Sequence, residues 1–319
     1  YGADILRLWV MASDYSEDLR IGPEILKSMA DAYRKLRNTI RYMLGALADY
    51  DAAAEEVTDI AAMPDLERYV LHRLAEVSEG VRKAYEAYDF KRAYTLLNTF
   101  MTVDLSAFYF DIRKDALYCD PYSAMRRKSA RTVIHLLFEH LVRLLAPMLA
   151  FTTEEAFWSR YPAVDDSVHL QTFLDAPEEW RDEALAERFT AIRKVRAVIT
   201  GALEIARREK MIGASLEAAP EVFIGDEKLR DAIDGIDMAE MAITSALRVE
   251  AGDGPADAFR LDDVPGVAVV VKKAGGRKCA RSWKISDDVG ADPDFPDITA
   301  RDAEAVREWM VRTGQTLEG

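Results

Sequence analysis

Apolar residues recur every three or four positions through most of the first half of the chain, and this period constrains the fold more than any other feature. Between Gly22 and Tyr50 they form one continuous stripe, and Pro23 suits the first turn of a helix. Similar stripes occupy positions 64–81, 93–110 and 133–148. A helix with one apolar face buries that face against another element. The pattern therefore predicts four long helices packed as a bundle.

The second half of the chain has a different character. A fifth helical stripe covers 185–209, after a break from Tyr161 to Pro177. Short β-branched runs at Glu221–Ile224 and Val267–Val271 then alternate with clusters of Gly, Pro and Asp, which is typical of strands joined by turns. We place a boundary near Gly213. The predicted fold is mainly α, with a helical bundle followed by a small α+β domain.

Composition narrows the class of protein. No stretch of the 319 residues approaches the roughly 20 apolar residues of a membrane-spanning helix. The two cysteines, Cys119 and Cys279, form no disulfide framework and fit a reducing cytoplasm. The net charge of -14 argues against binding of DNA or RNA through overall positive charge, so any RNA contact must use local basic patches. The start at Tyr1 is expected to be the boundary of a piece of a longer protein.

Motifs for catalysis, nucleotide binding and metal binding are missing from the sequence. No glycine-rich loop has the spacing that binds phosphate, because Gly275-Gly276 stand alone. The close histidine pair, His135 and His140, is five residues apart and does not share a helix face. Glu154 and Glu155 are adjacent on a predicted helix and point apart. We therefore predict no catalytic residue and no cofactor.

A basic ladder runs along the first predicted helix. Its members are Arg34, Arg37 or Asn38, and Arg41. Cations three or four residues apart lie on one helix face and can follow a phosphate backbone. An ordinary solvated helix face explains the pattern equally well.

A second basic run, Arg126-Arg127-Lys128 with Arg131, lies at the start of the fourth predicted helix. The helix dipole disfavours cations at that end, so an external anion bound there would be stabilising. Ordinary surface charge is the competing interpretation.

The third basic cluster is the strongest local signal. The stretch Val264–Ser286 contains no Asp or Glu, and its one aromatic residue is Trp283. Its cations are Lys272, Lys273, Arg277, Lys278, Arg281 and Lys284. Basic side chains around an exposed aromatic ring suit single-stranded RNA, because cations hold phosphates and the ring stacks on a base. A buried structural Trp283 among solvated lysines is the alternative.

Five blocks of sequence, in this order, resemble the bacterial-type isoleucyl-tRNA synthetases among the class I aminoacyl-tRNA synthetases. These blocks are Tyr1–Trp9, Ser13–Asp18, Tyr33–Thr39, Leu105–Tyr118 and Ala191–Ala218. The first two resemble the segment after the KMSKS loop. Valyl- and leucyl-tRNA synthetases share the opening and the bundle, whereas the last two blocks favour the isoleucine family.

The resemblance implies a division into four parts. A stem-contact segment covers 1–22, an α-helical anticodon-binding domain 23–212, a small α+β junction domain 213–275, and a degenerate zinc-finger-like module with a C-terminal helix 276–319. The implied role is to bind the stem and anticodon of tRNA(Ile) for a cytoplasmic, monomeric enzyme that joins isoleucine to tRNA(Ile) using ATP and Mg. The catalytic and editing sites lie outside this chain, which is expected to be inactive alone. A helical scaffold that binds an acidic protein remains the alternative from another class.

The same resemblance implies which residues contact tRNA. They are Arg34, Lys35, Arg37, Asn38, Arg41, Arg126, Arg127, Lys278, Arg281 and Trp283.

The sequence departs from the family at its zinc module. Members carry two Cys-x-x-Cys pairs, the first followed by Trp, but here the first pair reads Cys279 and Ser282, followed by Trp283. The second pair falls at Thr299 and Asp302. Only Cys279 is retained of the four family ligands, and one thiolate with two hydroxyls and a carboxylate is a poor zinc site. We predict no bound zinc.

Overall fold

The computed structural model describes residues 1–162 and 165–316 and divides the chain into two compact units. The first unit comprises 1–113 and 125–182, and the second 114–124 and 183–319. Parts of two sequence predictions, at 163–164 within the break and at 317–319 within the last module, lie outside the described residues. The predicted four-part division concerns domains, not these packing units, and stays a prediction.

The first unit is helical. Its helices are α1 (Ala3–Ala12), α2 (Pro23–Ala46), α3 (Ala52–Glu55), α4 (Asp65–Glu86), α5 (Phe90–Thr99), α7 (Met125–Leu145) and α8 (Ala150–Arg160). The four predicted long helices are confirmed: Pro23 is the first residue of α2, and Pro64 directly precedes α4. In this unit α4 packs against α5 and α7, and α2 against α7 and α8. Leu36, Leu74 and Leu137 are among the fully buried side chains of the bundle.

The third predicted helix has an internal irregularity. It continues from α5 through a π-helix, Phe100–Tyr109, into α6 (Phe110–Cys119). Inside the first unit, the fully buried Glu67 carboxylate accepts hydrogen bonds from Arg113 Nε and Nη2 at 2.6 Å each. The Tyr109 hydroxyl donates to the same carboxylate at 3.0 Å. Burial, and to a smaller extent the neighbouring Glu67 charge, raises the pKa of Tyr109 well above its usual value. This helix therefore buries a paired charge along with its apolar side chains.

The second unit mixes helices and strands, as predicted. Its helices are α9 (Glu183–Arg208), α10 (Glu227–Ile233), α11 (Met238–Ala242) and α12 (Ala300–Thr313). Strands β1 (Glu221–Ile224), β2 (Arg248–Ala251) and β3 (Val267–Val270) form a sheet in the order β2-β1-β3, with β2 parallel and β3 antiparallel to β1. Strands β4 (Arg277–Lys278) and β5 (Ile285–Ser286) form an antiparallel hairpin.

The core of the second unit lies between α9 and the three-stranded sheet. Helix α9 packs against β3, α10 and α11. On α9, Phe189 and Ile192 are fully buried, and on β1 the buried side chains Val222 and Ile224 alternate with half-buried ones. Alternation of this kind is expected of a strand with one face on a core. Both strands predicted from the sequence are present.

No helix in the described ranges is both long enough and apolar enough to cross a membrane.

Candidate nucleic-acid interface

The basic ladder on α2 faces solvent. Leu36, Ile40 and Met43 bury one side of the helix. The predicted contact residues on its other positions are all exposed: Arg34, Lys35, Arg37, Asn38 and Arg41. The fold thus brings the five together on the surface of the first unit.

Two arginines of this ladder have no partner within the part of the chain that the structure describes. Arg34 forms an ion pair with Asp31 on the same helix, and its Nε donates to the Ala30 carbonyl at 3.3 Å. The Arg37 and Arg41 side chains make no hydrogen bond or ion pair there. Four residues apart, they lie roughly 6 Å apart along the helix axis and repel one another weakly. A row of phosphates would relieve this repulsion, so Arg37 and Arg41 are the members best placed to bind one.

The second basic run is largely engaged in the protein. Arg131 is 2% exposed and forms ion pairs at 2.6 Å with Asp49 and Glu55. Arg126 and Arg127 are half-buried, and each has an interaction within the chain. Arg131 therefore stabilises the first unit, while contacts of Arg126 and Arg127 with RNA stay predictions.

The basic stretch Val264–Ser286 contains no acidic residue, but the fold brings acidic residues from elsewhere in the second unit close to it. The fold places a carboxylate beside four of its six cations. These ion pairs are Lys272–Glu221 at 2.5 Å, Arg277–Asp297 at 3.5 Å, Arg281–Asp302 at 2.8 Å and Lys284–Asp115 at 3.2 Å. Lys273 and Lys278 are exposed and make no ion pair with any described residue. The positive potential is consequently weaker than the sequence suggests.

Lys278 and Trp283 meet on the β4–β5 hairpin. The Trp283 side chain is 63% exposed, which excludes the alternative of a buried structural Trp. Lys278 Nζ lies 5.7 Å from the centre of its ring. Trp283 adopts a left-handed backbone conformation (φ 62°), and its N–H donates to the Cys279 carbonyl at 3.0 Å. An exposed ring beside an unpaired ammonium group can stack on a base and hold its phosphate.

Arg281 is held by other groups of the second unit. Its Nη1 donates to the Cys119 carbonyl at 2.6 Å and to Asp302 Oδ1 at 2.8 Å. Its Nη2 donates to the Tyr118 carbonyl at 2.7 Å. These carbonyls end α6, where the helix dipole favours a cation. The guanidinium is thus anchored in the protein, and its predicted contact with RNA stays a prediction.

The four positions that match the family's zinc ligands converge in the structure. We call Cys279, Ser282, Thr299 and Asp302 the Asp302 cluster; each is at most 9% exposed. Asp302 Oδ2 accepts from Thr299 Oγ1 at 2.5 Å and from the Cys279 thiol at 3.3 Å. The Ser282 N–H donates to Cys279 Sγ at 3.4 Å. Burial acts to raise the pKa of Asp302, but the Thr299 hydrogen bond and the charge of Arg301 together with Arg281 hold it below its usual value. The buried Ser282 hydroxyl has no hydrogen-bond partner among the described residues.

This donor set does not fit a zinc ion. Two of its members are neutral hydroxyls, which are weak ligands compared with thiolate or imidazole. The carboxylate is already paired with Arg281 and, at 3.4 Å, with Arg301. Two guanidinium groups beside the site would repel a divalent cation. Sequence reasoning identified the four positions but missed Arg301, which follows no recognisable motif.

Cys119, the other cysteine, is not a reactive group. Burial raises the pKa of its thiol to about 11, with smaller contributions from Asp115 and Asp302. A thiol of that kind carries little thiolate at neutral pH.

The first unit is a helical bundle with an exposed cationic face, and it is joined in sequence to a mixed unit that displays Lys278 and Trp283. Side chains of these kinds have the chemistry to contact RNA. Residues 67–223 match the family described as the anticodon-binding domain of tRNA ligases.

Whole-chain comparisons give the particular relatives. The chain is 55% identical to the isoleucine–tRNA ligase of Bartonella henselae over 98% of its length, which is 32% of that protein. It is 57% identical to the Mesorhizobium japonicum enzyme over 96% of its length, or 31% of that protein. The chain thus spans about a third of these relatives. A solved Agrobacterium radiobacter LeuRS chain shows a weak likeness, with a TM-score of 0.41 and 17% identity over 58% of this chain and 21% of that one.

Proposed function

We propose that this chain is the tRNA-binding portion of an isoleucine–tRNA ligase and binds tRNA(Ile) through its stem and anticodon. The observation that carries the proposal is the match of residues 67–223 to an anticodon-binding domain, within a chain similar over nearly its whole length to isoleucine–tRNA ligases. The whole enzyme would join isoleucine to tRNA(Ile) using ATP and Mg. This portion would add affinity and hold the tRNA in register, so that its acceptor end reaches a distant catalytic site.

The two surfaces would make different kinds of contact. On α2, Arg37 and Arg41 would bind backbone phosphates, with Arg34, Lys35 and Asn38 beside them. On the hairpin, Trp283 would stack on an unpaired base while Lys278 holds a neighbouring phosphate. Stacking of this kind contributes roughly 1–3 kcal/mol per base. Phosphate contacts position the RNA, whereas base contacts carry sequence information.

Several further properties belong to the same proposal. We infer a monomer that works in the cytoplasm, has no zinc in its last module, does not bind DNA and is catalytically inactive alone. The domain division at residues 22, 212 and 275 follows the same family pattern. Support for the absence of zinc comes from the poor donor set of the Asp302 cluster.

The proposal is tested by fluorescence titration of the chain with tRNA(Ile) and with a second tRNA at fixed salt. We expect tighter binding of tRNA(Ile). Arg37→Glu with Arg41→Glu should weaken it at least tenfold, because two phosphate contacts become repulsive. Lys91→Glu with Arg92→Glu on α5 makes the same charge change at two exposed positions and should have a much smaller effect.

The outcomes separate the alternatives. Preference for a valine or leucine tRNA would assign the chain to a sister enzyme. Absence of binding to any tRNA, with retained binding to an acidic protein, would indicate a helical interaction scaffold. Equal binding by the α2 and α5 variants would remove the ladder from the interface.

A further inference from the structure

The Asp302 cluster joins two segments that are separated in sequence. Cys279 and Ser282 lie in the β4–β5 hairpin that carries Trp283, whereas Thr299 caps the N-terminus of α12 and Asp302 lies in its first turn. Residues 287–298 between them form mainly turns and bends. One backbone hydrogen bond, from Ala280 N–H to the Asp297 carbonyl at 2.9 Å, also connects the segments. The attachment of the hairpin to the start of α12 therefore depends strongly on these buried side-chain links.

Asp302 is the centre of these links. Its side chain is fully buried, and a buried carboxylate is stable only when it is paired and hydrogen-bonded. Thr299 and the Cys279 thiol donate to one oxygen, and Arg281 donates to the other. Arg301 approaches the first oxygen at 3.4 Å. Donors from both segments thus converge on a single carboxylate.

The carboxylates around the Asp302 cluster are paired with cations. Arg301 pairs with Asp115 at 2.6 Å and with Asp120 at 3.3 Å as well as with Asp302. These ion pairs join three cations to three carboxylates: Arg281, Lys284 and Arg301 to Asp115, Asp120 and Asp302. Each of these three carboxylates has at least one cationic partner, so none depends on an added cation for its charge to be paired.

Helix capping explains only part of this arrangement. Thr299 Oγ1 accepts from the Asp302 N–H at 3.2 Å, which is the ordinary N-cap bond of a helix. A cap of this kind does not require the carboxylate to be fully buried or to bind Cys279 and Arg281. Those contacts connect α12 to the hairpin and indicate a second role for Asp302.

We propose that the Asp302 cluster is a metal-independent tether that holds the Trp283 hairpin on the start of α12. In family members with four thiolates, zinc would make the corresponding connection; here the carboxylate makes it. The consequence for RNA binding rests on the proposed function, but the tether does not. Its tests use no RNA, so their failure is distinct from failure of the proposed function.

The first test concerns metal. The chain is purified without chelator, its zinc content is measured by mass spectrometry, and amide hydrogen exchange of residues 277–286 is followed with and without EDTA. We expect less than about a tenth of an equivalent of zinc per chain, because a structural zinc site would hold close to a full equivalent. We also expect that EDTA leaves the hydrogen exchange of residues 277–286 unchanged. One zinc per chain, or faster exchange after chelation, would overturn the proposal.

The second test removes the central charge. Asp302→Asn should accelerate exchange across residues 277–286 by about tenfold or more, because the hairpin opens locally. The control is Asp297→Asn, since the 79% exposed Asp297 pairs with Arg277 on the same hairpin. Exchange as slow in Asp302→Asn as in the wild type would contradict the tether. If Asp302→Asn fails to fold, Cys279→Ala is measured in the same way, and an unchanged rate there would count equally against the proposal.

The third test asks whether the four positions converge as the structure indicates. Ser282→Cys, Thr299→Cys and Asp302→Cys are combined, which places thiols at all four positions. We expect this variant to bind one zinc per chain, because the negative charge of four thiolates outweighs the repulsion from Arg281 and Arg301. Unlike the wild type, it should lose hairpin protection on chelation. A triple variant that binds no zinc would show that the positions do not converge and would overturn the proposal.

Discussion

Arg113 shows what a single buried charge contributes to this chain. It is 1% exposed, and its guanidinium binds the fully buried Glu67 carboxylate through two hydrogen bonds. Arg113→Met removes the cation and leaves Glu67 unpaired in the core. We expect the free energy of unfolding to fall by about 3–5 kcal/mol, measured by urea denaturation.

The matched control for Arg113 is the double variant Glu67→Gln with Arg113→Met. Glutamine keeps an acceptor for the Tyr109 hydroxyl and removes the unpaired charge. The double variant should therefore be more stable than Arg113→Met alone. A single variant that loses less than the double would contradict this account of the pair.

His140 gives the first unit a pH dependence. Its side chain is 4% exposed, and burial, assisted by Arg143, lowers its pKa from 6.5 to about 4. Between these values the unfolded chain binds a proton that the folded chain does not, so stability falls as pH falls from about 6.5 to about 4. The loss from this residue is on the order of 3 kcal/mol.

The His140 effect is measured by urea unfolding at several pH values. His140→Gln cannot titrate and should show a flatter decline than the wild type over that window. Carboxylates also titrate there, so the comparison is between variants. The exposed His169 supplies the control, because His169→Gln should decline as the wild type does. Parallel curves for His140→Gln and the wild type would refute the assignment.

At the scale of elements, regular periodicity was readable from sequence and long-range pairing was not. The stripe on α2 and the β-branched runs at β1 and β3 predicted those elements correctly. Strand β2 alternates polar and apolar residues over only four positions, three of them exposed, and so short a pattern does not distinguish a strand from a loop. The π-helix Phe100–Tyr109 retains helical spacing of apolar residues, so its sequence pattern indicates an ordinary helix.

The candidate interface, like the secondary structure, was predictable from sequence only where local spacing determines it. Residues four apart on a helix lie on one face, so their spacing was enough to predict that Arg37 and Arg41 share a face. The partners of Arg277 and Arg281, by contrast, lie about 20 residues away in sequence and are brought in by tertiary structure. No local pattern could show that most cations of the Val264–Ser286 stretch are neutralised.

The β4–β5 hairpin depends on one glycine. Gly276 has φ +110°, and a Cβ there would lie 2.5 Å from the Ser286 backbone carbon. Gly276→Ala should displace the paired strand and cost about 1–3 kcal/mol of local stability, seen as faster hydrogen exchange at residues 277–286. A Cβ on the adjacent Gly275 would meet no atom within 4 Å, so Gly275→Ala should leave exchange unchanged. Similar rates in both variants would contradict this role.

For the whole molecule, the net charge of -14 opposes association with a polyanion. The proposed binding of tRNA must then depend on local groups of cations that have no acidic partner among the described residues, such as Arg37, Arg41, Lys273 and Lys278. Each phosphate contact releases counterions, so affinity falls as salt rises. The slope of log affinity against log salt therefore reports the number of ionic contacts, and stacking contributes little to it.

This separation gives a prediction for the two surfaces. Arg37→Ala with Arg41→Ala should reduce the slope of log affinity against log salt by about 1 for each arginine that binds a phosphate, up to about 2. Trp283→Ala should lower affinity by roughly 1–3 kcal/mol at every salt concentration and leave the slope nearly unchanged, because stacking releases few ions. The measurement is a tRNA titration at four or more salt concentrations, on the order of 50–200 mM. An unchanged slope for the arginine variant would contradict phosphate contacts by Arg37 and Arg41. A slope change for Trp283→Ala as large as the one expected for the arginine variant would contradict the stacking role, since only charged side chains can alter the number of counterions released.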